Sequence, residues 1–182
     1  MVSRRRAREA ALQALYQCDT LAQWTKEAVD LYFELYCNSS PDAATAEIDT
    51  PACAKGVEKA ARHKELEQEN LRFARSLIMG VIENLDFIDR QIAAASTNWS
   101  VARMARVDRN ILRVACYEMA FAADIPVNVS INEAIEIAKT YGTEDSPMFV
   151  NGVLDNIAKA FESNPALNPA ARERQRRKNI RA

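Results

Sequence analysis

The sequence predicts an all-α fold, a compact helical bundle, and three observations carry that prediction. Apolar residues recur at three- and four-residue spacing along most of the chain. Only four Gly and six Pro occur among 182 residues, few for the tight turns that join strands. No segment alternates apolar and polar residues with the period of two that marks a strand. The apolar share of 48% supports a sizeable core, and the length suits one domain with tails. No apolar run approaches the roughly 20 residues of a membrane span. The basic N-terminus lacks the apolar stretch that would make it a secretory signal. A cytoplasmic protein is therefore expected.

Taken in order, Ala7, Ala11, Ala14, Leu15 and Cys18 share one face of a first helix, with Ser3 as a candidate cap. Ala28, Leu31, Tyr32, Leu35 and Tyr36 repeat the pattern for a second. Residues 38–54 hold two Pro among small polar residues and read as a long loop. The charged stretch Val57–Asn70 reads as an exposed helix, so residues 38–70 together form an insertion. Leu77, Ile78, Val81, Leu85, Ile88 and Ile92 predict one long buried helix over Leu71–Ala95. A further helix is predicted over Val107–Ala122 with Ile111, Leu112, Ala115 and Met119 inward. Pro126 stops it, because the residue before a proline avoids helical geometry.

Ser130 and Glu133 have the S-x-x-E spacing of a capping box. Ile131, Ala134, Ile135 and Ala138 follow as a buried face, and Gly142 fits a C-terminal cap. Ser146 and Pro147 suit the N-cap and first position of a last helix, with Phe149, Val150, Val153, Leu154, Ile157 and Phe161 as its stripe. Residues 1–165 thus form the helical domain. Residues 166–182 form a basic tail that is expected to be disordered.

Cys18, Cys37, Cys53 and Cys116 show no C-x-x-C spacing, and Cys18 and Cys116 fall on apolar faces, so buried free thiols are expected. His63 stands alone in a charged stretch, which excludes a multi-histidine metal site. There is no Gly-rich phosphate loop and no nucleophile elbow. The expectation is a protein without catalytic residues, metal or cofactor.

Charge is unevenly spread. Residues 1–9 carry +3 and residues 171–182 carry +5, which leaves −9 between them for a net of −1. Arg4, Arg5, Arg6 and Arg8 crowd the start of the first helix. A helix N-terminus is partly positive, so each costs on the order of 0.3–1 kcal/mol there. The same place suits phosphate, where backbone N–H groups and guanidinium forks converge. A solvated basic arm fits the charge equally well. Gln13 and Tyr16 farther along add a polar reader and a stacking ring of the kind that binds single-stranded RNA, although by pattern Tyr16 reads first as a half-buried core aromatic.

The segments RRRAREAALQALYQ, VDRNILRVACYEM and DIPVNVSINEAIEIAKTYGTEDSPMFVNGVLDNI, in that order, resemble the NusB family of transcription antitermination factors over residues 3–18 and roughly 71–160. The resemblance implies two three-helix subdomains and no chemistry. It implies binding of boxA-like RNA in ribosomal RNA leaders together with NusE, a protein of the small ribosomal subunit, within the RNA polymerase antitermination complex. The implied RNA-facing set is Arg4, Arg5, Arg6, Arg8, Gln13 and Tyr16, with Asp145, Ser146 and Phe149. The implied partner-facing set is Asp108, Arg109, Leu112, Arg113 and Tyr117. Four neutralised phosphates would give a slope of log K against log salt near −3. Two alternatives stay open: a protein–protein adaptor with solvated arginines, and a NusB-like subunit of an RNA-modifying system. Whether the free protein is a monomer or a homodimer that covers its RNA face also stays open.

Overall fold

A computed structural model describes residues 4–38, 54–97 and 99–169. Among them the elements are α1 (Arg4–Leu21), α2 (Lys26–Asn38), α3 (Ala54–Glu83), α4 (Leu85–Ala95), α5 (Arg106–Phe121), α6 (Val127–Tyr141) and α7 (Ser146–Ser163). Single 3-10 turns lie at Val101–Arg103 and Pro165–Leu167. No strand occurs among the described residues. None of their helices is long and apolar enough to cross a membrane.

Helix α5 is the axis of the molecule. It packs against α1, α3, α4, α6 and α7. Its sequence explains this, because only Tyr117 among Asn110–Ala120 is not fully buried. Leu15, Leu77, Ile78, Ile88, Ile92, Leu154 and Ile157 fill the space around its own Leu112 and Met119 with almost no exposure. Cys18 and Cys116 are buried free thiols, and burial pushes both up from the ordinary thiol range. Gly80 lets α3 approach α5: a Cβ there would stand 2.0 Å from Cζ of Tyr117.

Several sequence expectations are corrected. The insertion helix and the long buried helix are one 30-residue rod, α3, and the interruption falls later, at Asn84. Asn84 donates its side-chain amide to the Gly80 carbonyl at 2.8 Å, and its own N–H is shared between the Gly80 and Val81 carbonyls at 3.2 Å. Such local side-chain bonding competes with helix continuation. Helix α2 buries Val29 and Phe33, while Leu31 and Leu35 are 51% and 54% exposed. It rests on α1 and α3, so among its described side chains Val29 and Phe33 are fully covered and the expected Ala28 and Tyr32 are partly buried beside them. Tyr36, Cys37, Cys53 and His63, and the loop and tail at 39–53 and 170–182, lie outside the described side chains or residues.

The capping box does not form. Helix α6 already starts at Val127 behind Pro126, so Ser130 is inside the helix and buried. Its buried face includes Ile137, while Ile135 is only partly covered. Gly142 caps α6 with φ −92°, not left-handed. Glycine is needed there for space, since a Cβ would meet the Ser146 Cβ at 2.5 Å. Ser146 is the first residue of α7 and not its cap; its Oγ accepts the Thr143 N–H at 2.9 Å and so closes the turn between α6 and α7. At the end of α1, Ala22 takes the left-handed conformation (φ 53°) and lets the Gln23 N–H reach the Cys18 carbonyl at 2.9 Å, the 6→1 bond of a Schellman cap.

Candidate nucleic-acid interface

The first turn of α1 carries no acidic residue. Arg4 and Arg6 are exposed there, and the Arg4 guanidinium lies over the Phe73 ring of α3 at 5.0 Å. Arg5 turns toward α6. Its Nε and Nη2 donate to the two carboxylate oxygens of Glu133 at 3.1 and 2.9 Å. These bonds hold the Glu133 carboxyl below its usual range, helped by the charges of Arg5 and Arg8 against the effect of burial. Arg8 goes deeper. It is 4% exposed, and its Nε donates to Oε1 of the fully buried Glu118 at 2.8 Å. Burial pushes the Glu118 carboxyl up, only partly offset by the charge and hydrogen bond of Arg8.

Arginine by arginine, the structure therefore divides a set that the sequence grouped together. Arg8 is withdrawn from any outside phosphate: a guanidinium 5% exposed at its side chain and spent on Glu118 presents no fork to solvent. Arg4, Arg5 and Arg8 do line one open cleft of about 500 Å³ between the starts of α1 and α6. No side chain caps the first turn of α6 at that cleft.

Farther along α1, Tyr16 is 40% exposed and not the core aromatic that its pattern suggested. The Gln13 Oε1 accepts the Tyr32 hydroxyl of α2 at 3.1 Å. The far end of α1 is tied to the start of α5. Arg109 Nε and Nη2 donate to Asp19 at 2.5 and 2.7 Å, Asn110 donates to the same carboxylate at 3.0 Å, and Arg113 Nη1 lies 3.5 Å away. Burial pushes Asp19 up, but hydrogen bonds from Arg109 and Asn110 and the charges of Arg113 and Arg109 hold it below its usual range. Arg113 also forks onto Asp89 of α4 at 2.8 Å for both bonds, and stacks over Trp24 at 4.9 Å.

This changes the partner-facing set. Leu112 is fully buried and belongs to the core. Arg109 and Arg113 spend their guanidinium groups inside the chain. Asp108 is 8% exposed, and Tyr117 packs against Phe121 with centroids 5.5 Å apart. Asp145 and Phe149 line a cleft of about 330 Å³ together with Asp108 and Trp99. Ser146 lines it too but is 1% exposed. This cleft and the arginine cleft lie at opposite ends of α5, with Gln13 and Tyr16 on the helix between. From Arg8 to Asp19 the chain climbs about 16 Å at 1.5 Å per residue.

Sequence reasoning missed Glu118, Glu133, Asp19, Asp89 and Phe73. Glu118 was open to detection, because it continues the i, i+3, i+4 spacing of the inward Ile111, Val114 and Ala115 on α5. Glu133 has the local spacing of a helix cap, and Asp19 carries no local signal at all.

Fold and site define a class: an all-α protein that offers cations on the first turn of its first helix and fixes that helix to the core by ion pairs. Residues 5–159 match the NusB family. A relative in Geobacter sulfurreducens, a transcription antitermination protein NusB, is 44% identical over 161 residues, covering 88% of this chain and 97% of the relative. The structure of T. maritima NusB is similar at a TM-score of 0.61 and 38% identity, covering 87% of this chain and 92% of that one. A structure of antitermination factors NusB and NusE in complex with dsRNA shares the fold at a TM-score of 0.62 and 22% identity, covering 88% and 99%. The chain belongs to the NusB family.

Proposed function

We infer that the chain is a transcription antitermination factor that binds boxA-like single-stranded RNA of ribosomal RNA leaders together with NusE, and so raises the processivity of RNA polymerase. It acts in the cytoplasm as a binding adaptor, with no chemistry of its own. The observation that carries this reading is the exposure of Arg4 and Arg6 on an acid-free first turn, in a chain of the NusB family. Cations are unfavourable at that helix end, and phosphate contact is what offsets the cost.

The RNA path runs from Arg4, Arg5 and Arg6 along Gln13 and Tyr16 toward Asp145 and Phe149. Ser146 serves by closing the turn that carries Asp145. Arg8 serves by anchoring α1. On the NusE side, the partly exposed Tyr117 supplies surface, while Arg109 and Arg113 hold the helix that carries it in place through Asp19 and Asp89 and the buried Asp108 supplies none.

Only Arg4 and Arg6 of the four arginines lack a carboxylate partner among the described contacts. Two neutralised phosphates on single-stranded RNA give a slope of log K against log salt of about −1.4, half the value for four. Titrating a boxA-like RNA at several salt concentrations, with and without NusE, tests this. Replacing Arg4 and Arg6 by Ala should abolish most RNA binding while circular dichroism stays unchanged. A flat salt response, with NusE binding intact, would leave only the protein–protein adaptor.

A further inference from the structure

Arg5 shares its turn with Arg4 and Arg6, yet its guanidinium faces the protein. Glu133 takes both Nε and Nη2, the same two-pronged edge that a phosphate takes. Glu136 lies 4.0 Å from Nη1 and is itself held by Lys139 at 2.7 Å. This pair differs from the one beneath it. Arg8 and Glu118 are closed off from water, whereas the Arg5 side chain is 42% exposed and Glu133 21%. Both Arg5 and Glu133 line the cleft that Arg4 also lines. A half-exposed pair opens at small cost. Opening it does not strand the carboxylate, because Arg8 Nη1 already stands 3.8 Å from Glu133 Oε2.

We propose that Glu133 is a built-in competitor for RNA phosphate: it occupies the phosphate-binding edge of Arg5 in the free protein and sets the affinity of the cationic helix start. The proposal rests on the RNA-binding reading above. Glu133 stays ionised at neutral pH, because Arg5 holds its carboxyl low. A phosphate that approaches Arg4 meets Arg5 already neutralised and must displace a carboxylate to gain it.

Glu133→Gln keeps a hydrogen-bond acceptor for Arg5 and removes the charge. With a short boxA-like RNA and a scrambled RNA of equal length as probes, the variant should bind both about two- to fivefold more tightly at low salt, the range that an exposed pair can contribute. Its salt slope should steepen by about 0.7, one phosphate more. Adding Arg5→Ala to Glu133→Gln should cancel both gains, and Glu136→Gln alone should give a smaller gain. Unchanged or weaker binding by Glu133→Gln, with an unchanged thermal midpoint, overturns the proposal and identifies Glu133 as a residue that positions Arg5. If Glu133→Gln loses its fold, Glu136→Gln decides: no gain there also overturns the proposal. Wild-type protein that binds neither RNA at any salt overturns the RNA reading instead, and Glu133→Gln that stays equally silent overturns both.

Discussion

Removal of the Arg8 guanidinium leaves a carboxylate with no exposure and no countercharge. Arg8→Ala should therefore destabilise the fold by about 3–5 kcal/mol, read by urea denaturation. Replacing Arg8 by Met and Glu118 by Leu together should recover much of that loss, since the pair's desolvation disappears with its attraction. Two backbone positions make opposite predictions. Ala22 holds φ 53°, where a Cβ costs about 1–2 kcal/mol, so Ala22→Gly should raise stability by roughly 1 kcal/mol once the greater freedom of the unfolded chain is deducted. Gly80→Ala should lower it by about 1–3 kcal/mol, because the added methyl meets a Tyr117 ring already stacked on Phe121. Thermal or denaturant midpoints check both.

At the scale of an element, α1 shows how one sequence block serves two ends. Its alanines and Leu15 make the buried side, and the arginine block sorts by helical angle. Arg8 and Arg5 point to α5 and α6 and find acids, while Arg6 points to solvent and Arg4 lies along Phe73. Replacing Arg4 and Arg6 with Ala removes charge from an unfavourable helix end without breaking an ion pair. Stability should hold or rise by about 0.3–1 kcal/mol per position at low salt, in contrast to the large loss expected at Arg8. That contrast, measured on the folded protein without RNA, separates cations kept for a ligand from cations kept for the fold. Helix α2 behaves differently, for its apolar residues outnumber what its two neighbours can cover, and Leu31 and Leu35 remain in water.

Across the whole molecule, α5 connects two polar clamps. Arg8 with Glu118 pins the start of α1, and Asp19 with Arg109, Asn110 and Arg113 pins its end and reaches α4 through Asp89. Asp19 and Glu133 both titrate below their unfolded values of 3.8 and 4.5. Each thus adds stability that is fully present above the unfolded value and lost as pH falls through the lower folded one. Glu118 runs the other way. Its raised carboxyl favours the folded state as pH falls toward 4.5 and costs stability above its folded value. Acid unfolding should therefore be concentrated below about pH 4, and Asp19→Asn should make it shallower. Urea midpoints measured across acidic pH read this directly.

Much of the fold was legible along the chain because helical periodicity is a local property. The positions Ala7, Ile111, Leu112 and Val153 could be read inward from spacing alone, and the family segments gave the candidate site. Asn84 as the break, Val29 and Phe33 as the covered strip of α2, and Val127 as the start of α6 were less legible, since neighbouring helices and local hydrogen bonds decide them.

The sequence by itself determined the helical architecture and the cationic start of α1, since each follows from residue type and spacing within one helix. Only the tertiary structure decided which arginines remain available. A charge is neutralised by whatever acid packs against it, and Glu118 and Glu133 lie 110 and 128 residues along the chain from Arg8 and Arg5. No local pattern encodes a contact of that span; it exists only once α1, α5 and α6 have packed.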